Sequence, residues 1–126
     1  GEIIPSLIDE LPILFIACSA ASGVSKISGI EELRYKESDR IKAMENGLNA
    51  IGIKVSSTQD SIEITGGKII GGKIDSYDDH RIAMSFAVAG LISENSLTIM
   101  NTRNIATSFP SFITTLKDLG GEVYEI

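Results

Sequence analysis

The chain has very little cysteine, no long apolar run and no excess of basic charge, and each shortage removes a class of function. Cys18 is the one cysteine among 126 residues. No disulfide can close within the chain, no clustered metal-ligand spacing exists, and a reducing, cytoplasmic setting is the expectation. The longest wholly apolar stretch, Leu11 to Cys18, has eight residues, against the roughly 20 that cross a bilayer. Lys and Arg number 11 and Asp and Glu 17, for a formal net charge of −6 and a pI near 4.7. That is the wrong sign for a broad nucleic-acid surface, so an anionic ligand would need a local cluster of cations. Glu2, Asp9 and Glu10 stand where a secretory leader would be basic. The first residue is Gly1 rather than Met, which leads us to expect a piece of something longer.

What is present is enough for a folded core: 43% of residues are hydrophobic and the mean hydropathy is +0.17. Two segments, about 9–21 and 79–92, are apolar almost all the way round at helical spacing, which predicts helices buried on all sides. Both begin with acidic residues suited to capping free N–H groups and to the positive end of the helix dipole. A short alternating stretch follows each, V-S-K-I-S near residue 24 and L-T-I-M-N near residue 97, as a half-buried strand requires. An irregular connector, an amphipathic helix ending in Gly and another strand complete each copy: A-M-E-N-G-L-N-A-I-G then I-K-V, and F-I-T-T-L-K-D-L-G-G then E-V-Y-E-I.

An offset of about 70 residues brings Asp9 onto Asp79 and Ala17 onto Ala87. The expectation is two repeat copies, about 9–56 and 79–126, separated by a hairpin linker at about 57–78. Helices alternating with strands predict an α/β arrangement in which mainly parallel strands pack on buried helices. Gly67, Gly72 and Lys73 fit the spacing of a phosphate-binding loop. However, Ile74 replaces the required Ser or Thr, and strand-like residues follow where a helix should start, so turn glycines are the better reading. Cys18, inside an apolar helix, has the setting of an inert buried thiol.

Charge gathers at three predicted helix starts. In R-Y-K-E-S-D-R-I-K, residues 34 to 42, a wheel of about 100° per residue puts Ile41, Met44, Leu48 and Ile51 on one stripe, with Glu37 on the same stripe a turn earlier. Burial there would raise the pKa of Glu37 toward that of a proton donor, unless neighbouring cations offset it. Lys36 and Arg40 fall side by side on the flank, while Asp39 and Lys42 point outward as solvated surface. His80 and Arg81 follow Asp78 and Asp79 at the second apolar helix, where a guanidinium adds a clamp for carboxylate or phosphate. Asp9 begins the first. Taken one at a time these residues also suit ordinary caps and surface ion pairs. Together they amount to two carboxylates for proton transfer and several cations for a poly-anionic substrate.

Four motifs in order carry a resemblance over essentially the whole chain. R-Y-K-E-S-D-R-I resembles the R-x-K-E-[ST]-D-R motif of the 5-enolpyruvylshikimate-3-phosphate synthase family, and D-D-H-R-I-A-M-S-F-A-V-A its D-H-R-[IM]-A-M helix. S-F-P-S-F at 108 to 112 is similar to its S-F-P-x-F segment, and I-D-E-L-P at 8 to 12 to the stretch holding its catalytic aspartate. The resemblance implies repeated βαβαββ units of the enolpyruvyl transferase fold, an inside-out α/β barrel, with this chain part of a C-terminal domain and the N-terminal domain absent. It implies transfer of the enolpyruvyl group of phosphoenolpyruvate to the 5-hydroxyl of shikimate 3-phosphate with release of phosphate, without metal or other cofactor. Asp9 then matches the base for the attacking hydroxyl, and Glu37 the acid for the methylene carbon. Lys36 matches a lysine that reaches shikimate 3-phosphate, Arg40 and Arg81 match the arginines that clamp phosphoenolpyruvate, and His80 has a supporting place. Thr107 and Glu32 depart from a lysine and an asparagine found in some members. A sister transferase acting on UDP-N-acetylglucosamine, and a non-catalytic interaction module on the same fold, are the alternatives.

Overall fold

The computed structural model describes residues 10–102. Helix α1, Leu11–Ala20, starts with Pro12 in its first turn, where a missing N–H costs nothing because that donor has no helical partner. Glu10 occupies the N-cap position but makes no capping hydrogen bond; its carboxylate goes to another helix. Strand β1, Val24–Ser28, a 3-10 turn, Glu31–Tyr35, and helix α2, Arg40–Ala50, follow. Then come β2, Lys54–Ser57, β3, Ser61–Thr65, β4, Gly72–Asp75, helix α3, His80–Ile92, and β5, Leu97–Met100. The expected E-V-Y-E-I strand and the helix before it lie outside the described residues.

The strand directions correct the expectation of a mainly parallel sheet. Strands β1, β3 and β2 form one sheet in that order with both neighbouring pairs antiparallel, Ile27 opposite Ile62 and Val55 opposite Ile64. Strands β4 and β5 form a parallel pair with Ile74 opposite Ile99. The physical reason is connection length. Residues 58–60 are too few for anything but a reversal between β2 and β3, so β3 returns antiparallel and inserts between its neighbours. The helical crossovers α2 and α3 do join strands running the same way, β1 to β2 and β4 to β5, as such connections must.

Residues 57–78 likewise do not form one hairpin: the turn at 58–60 joins β2 to β3, and β3 and β4 belong to different sheets. Between them the chain passes close under the end of α1, where a β-carbon on Gly66 would lie 1.6 Å from the Ala21 carbonyl oxygen. Only glycine fits. No helix follows Lys73, and the Gly-rich stretch is a connector between sheets rather than a phosphate loop.

The core joins both sheets to the three helices through Phe15, Leu33, Met44, Leu48, Ile64 and Phe86, all fully buried. The α2 stripe behaves as its periodicity requires, with Ile41, Met44, Leu48 and Ile51 inside. The two apolar helices do not. Phe15, Ile16, Ile82 and Phe86 are buried, but Ile13 and Leu14 are 39% and 45% exposed, and Ile92 is exposed as well. Among the described residues α1 and α3 are covered on one side only, and a cleft of about 530 Å³ runs between Leu14, Val88 and Ile92 on the other. Cys18 is half-buried against the core, not enclosed as its apolar surroundings predicted. No helix among the described residues is long and apolar enough to cross a membrane.

Candidate active site

The K-E-S-D-R segment is positioned by a cap that periodicity alone did not reveal. Asp39, expected on the solvated surface, is the N-cap of α2: its Oδ1 accepts from the Lys42 amide at 3.0 Å, and its Oδ2 from Arg34 Nη1 at 2.8 Å. A capping aspartate satisfies a donor that has no helical partner and so sets where the helix begins. It does so at Arg40, and residues 36–39 are not helical. The wheel therefore does not extend back to Glu37, which is 57% exposed rather than core-facing. Lys36 ends the 3-10 turn beside Glu32, Nζ to Oε1 3.7 Å, and does not share a helical flank with Arg40. Lys42 is the surface residue it was expected to be.

Arg40, the first residue of α2, is buried to 2% exposure. Its Nε donates to Asp79 Oδ2 at 2.9 Å and its Nη2 to Asp79 Oδ1 at 3.3 Å, and Nη2 also donates to Glu37. Asp79 is fully buried at the N-cap of α3, accepting in addition from Ser38 Oγ at 2.8 Å and from the Arg81 amide at 2.9 Å. Burial pushes its carboxyl upward. The hydrogen bonds from Arg40 and Ser38, the Arg40 charge and the Arg81 amide together outweigh burial and hold it below the usual carboxylate range. Arg81 turns its side chain to Glu10, Nη1 to Oε1 3.0 Å, the partner that left the α1 cap unmade. His80 is half-buried at the first position of α3.

Ion pairs and one capping hydrogen bond thus link three helix starts: Glu10 at α1 to the Arg81 side chain, the Arg81 amide to Asp79 at α3, and Asp79 to Arg40 at α2, which also holds Glu37. Each start carries about half a positive charge from its aligned peptide dipoles. With two guanidiniums among them, the place is suited to holding an anion. Of the expected set, the structure pairs Arg40 directly with Glu37, whereas Arg81 meets the Arg40-bound carboxylate through its backbone amide and sends its guanidinium to Glu10; Lys36 and His80 are adjacent in sequence. Asp9, Thr107 and the S-F-P-S-F segment lie outside the described residues. Among the described residues no three of His, Cys, Asp and Glu gather as a metal-holding group. Asp79 was legible as a cap, but its pairing with an arginine 39 positions earlier was not, and Ser38, Arg34 and Glu10 had no local signal.

A family model described as EPSP synthase (3-phosphoshikimate 1-carboxyvinyltransferase) matches residues 1–116. The chain belongs to this family. A 3-phosphoshikimate 1-carboxyvinyltransferase of Legionella pneumophila (strain Paris) is 50% identical over 125 residues, which is 99% of this chain and 29% of that protein. One from Xanthomonas axonopodis pv. citri is 49% identical over 118 residues, 94% of this chain and 27% of that protein. Two solved structures of EPSP synthase from Acinetobacter baumannii superpose with TM-scores of 0.86 and 0.83. They are 46% and 44% identical, over 91% and 97% of this chain and 28% and 29% of theirs. The α/β fold is therefore that of an EPSP synthase segment, and the chain spans less than a third of the length of these relatives.

Proposed function

We propose that the chain supplies part of the active site of a cytoplasmic enzyme that transfers the enolpyruvyl group of phosphoenolpyruvate to the 5-hydroxyl of shikimate 3-phosphate. The observation that carries this reading is the junction of the α2 and α3 starts at Asp79, where Arg40 and the start of α3 share one buried carboxylate, with the α1 start joined to it through Glu10 and Arg81. Arg40 and Arg81 hold the carboxylate and phosphate of phosphoenolpyruvate, and Asp79 pre-orients the Arg40 fork so that little ordering remains to be done on binding. The Arg81–Glu10 pair is more exposed. Such a pair is worth little to stability, which makes it easy to exchange for a substrate anion.

In the reaction, Glu37 protonates the methylene carbon of phosphoenolpyruvate while Asp9 takes the proton of the 5-hydroxyl. The hydroxyl oxygen bonds to the adjacent carbon, giving a tetrahedral intermediate. That intermediate loses phosphate and a methyl proton to restore the double bond, and Lys36 and the arginines stabilise the departing charge. His80 supports the α3 start. No metal or other cofactor is needed for these steps. Glu37 is exposed and paired with Arg40, which leaves its carboxyl accessible to a substrate. The rest of the site, and the cover that excludes water, come from the remainder of the longer protein.

Phosphate release from shikimate 3-phosphate plus phosphoenolpyruvate tests the proposal. The full-length enzyme is expected to turn over, and the 126-residue chain alone is expected not to. Turnover by the short chain near the full-length rate would overturn the claim that it holds part of a site. Turnover by the full-length enzyme with UDP-N-acetylglucosamine in place of shikimate 3-phosphate would overturn the assignment of acceptor.

A further inference from the structure

Arg34 is charged, mostly buried and unused by the reaction just described. Its guanidinium donates in three directions: Nε to the Gln59 carbonyl at 2.9 Å, Nη2 to the Thr58 carbonyl, and Nη1 to Asp39 Oδ2 at 2.8 Å. Only 14% of the side chain is exposed. The two carbonyls belong to the turn between β2 and β3, which is itself held: the Ile30 amide donates to the Asp60 carbonyl at 3.0 Å and the Thr58 amide to the Ser61 carbonyl at 3.0 Å. Asp39, the third acceptor, is at the same time the cap of α2. Between the 3-10 turn that holds Arg34 and Asp39 lies an arch, residues 36–38, that contains Lys36 and Glu37 and belongs to no helix or sheet. Its further ties include Ser38 to Asp79, Glu37 to Arg40 and Lys36 to Glu32.

We propose that Arg34 is a positioning residue for Lys36 and Glu37: it ties the arch that carries them to the rigid β2–β3 turn at one foot and to the α2 cap at the other. The inference rests on the reading of Lys36 and Glu37 as members of the site. Arginine is required because its planar fork meets two carbonyls and a carboxylate at fixed angles, whereas a lysine ammonium would reach one or two of them without fixing a direction. A loosened arch leaves Arg40 in place, because Asp79 holds it from another element, but lets the proton donor and the lysine drift from the reacting atoms. Displacements of about 1 Å are enough to lower a rate substantially.

The test is made on the full-length enzyme carrying Arg34→Lys or Arg34→Gln. Amide hydrogen exchange is expected to quicken by about tenfold or more in both variants at the Leu33 and Lys42 amides, which are hydrogen-bonded at the two feet of the arch, while the Ile62 and Ile64 amides in β3 stay protected. kcat is expected to fall by about tenfold or more, with the KM for phosphoenolpyruvate within roughly threefold of the parent value. Unchanged exchange at both feet of the arch, wild-type kcat in either variant, or faster exchange throughout β3 would each overturn the proposal, the last by showing that Arg34 supports the fold at large. If the unsubstituted enzyme fails to turn over these substrates, the functional reading fails by that result alone. Exchange at the feet of the arch then still decides whether Arg34 holds it.

Discussion

At the scale of single residues, Asp79 decides most of the site. A carboxylate with no exposure would be costly were it not met by four donors, and it is these donors that keep it ionised. Because its pKa is lower folded than unfolded, it adds stability above the unfolded value, about 3.9, and that contribution disappears as pH falls through the folded value. Thermal unfolding of the parent and of Asp79→Asn should therefore differ most above about pH 4, and the gap should narrow steadily on further acidification. A gap that does not depend on pH would show that the charge of Asp79 is not what stabilises the junction. Glu37 shows how periodicity alone can misplace a single residue. Its motif neighbours were legible, but the helix does not reach it.

At the scale of elements, α2 has the clearest relation between sequence and structure. Its apolar stripe at positions 41, 44, 48 and 51 is buried as spaced, and its start is set by Asp39, a residue type with strong N-cap preference that a reading of charge alone assigned to solvent. Gly47 lies on the packed side, where a β-carbon would come within 2.3 Å of Phe86 Cζ in α3. Two effects oppose each other in Gly47→Ala. Helix propensity favours alanine by about 1 kcal/mol, while overpacking a filled core costs about 1–3 kcal/mol. The clash falls on a ring that is itself fully buried and has little room to move, so the net change should be destabilising by about 1–2 kcal/mol in chemical denaturation. A stabilised variant would mean that α2 and α3 are less tightly packed than described. The strands were legible as elements but not in their directions. Alternation identifies a strand, while the three-residue return after β2 determines what it pairs with.

At the scale of the molecule, the apolar faces of α1 and α3 have a consequence for the 126-residue chain in solution. Ile13, Leu14 and Ile92 are exposed beside one another along the cleft, the kind of contiguous patch that promotes association. Leu14→Lys should lower self-association of the chain in analytical ultracentrifugation and lower its binding of a hydrophobic dye, with stability changed by only about 0.5 kcal/mol, as for other exposed positions. Association that is insensitive to this change would place the sticky surface elsewhere. Both helices were read from composition as buried on every side. Composition reports what a helix can bury, whereas coverage depends on which other elements are there to cover it.

The sequence by itself determined the family, through four motifs in order, and the local features that depend on neighbours three or four positions apart: the α2 stripe, the Asp79 cap and the turn glycines. The tertiary structure alone decided that Arg40 meets Asp79 across 39 positions and that Arg81 meets Glu10 across 71. It also decided that β3 lies between β1 and β2, and that Arg34 reaches the turn it fastens. The physical reason is the range of the forces that leave a pattern. Helical and strand periodicity arise from contacts within a turn or a pleat and so appear in the residue order. A buried ion pair arises from where the chain path brings two segments together, and neither segment alone records its partner.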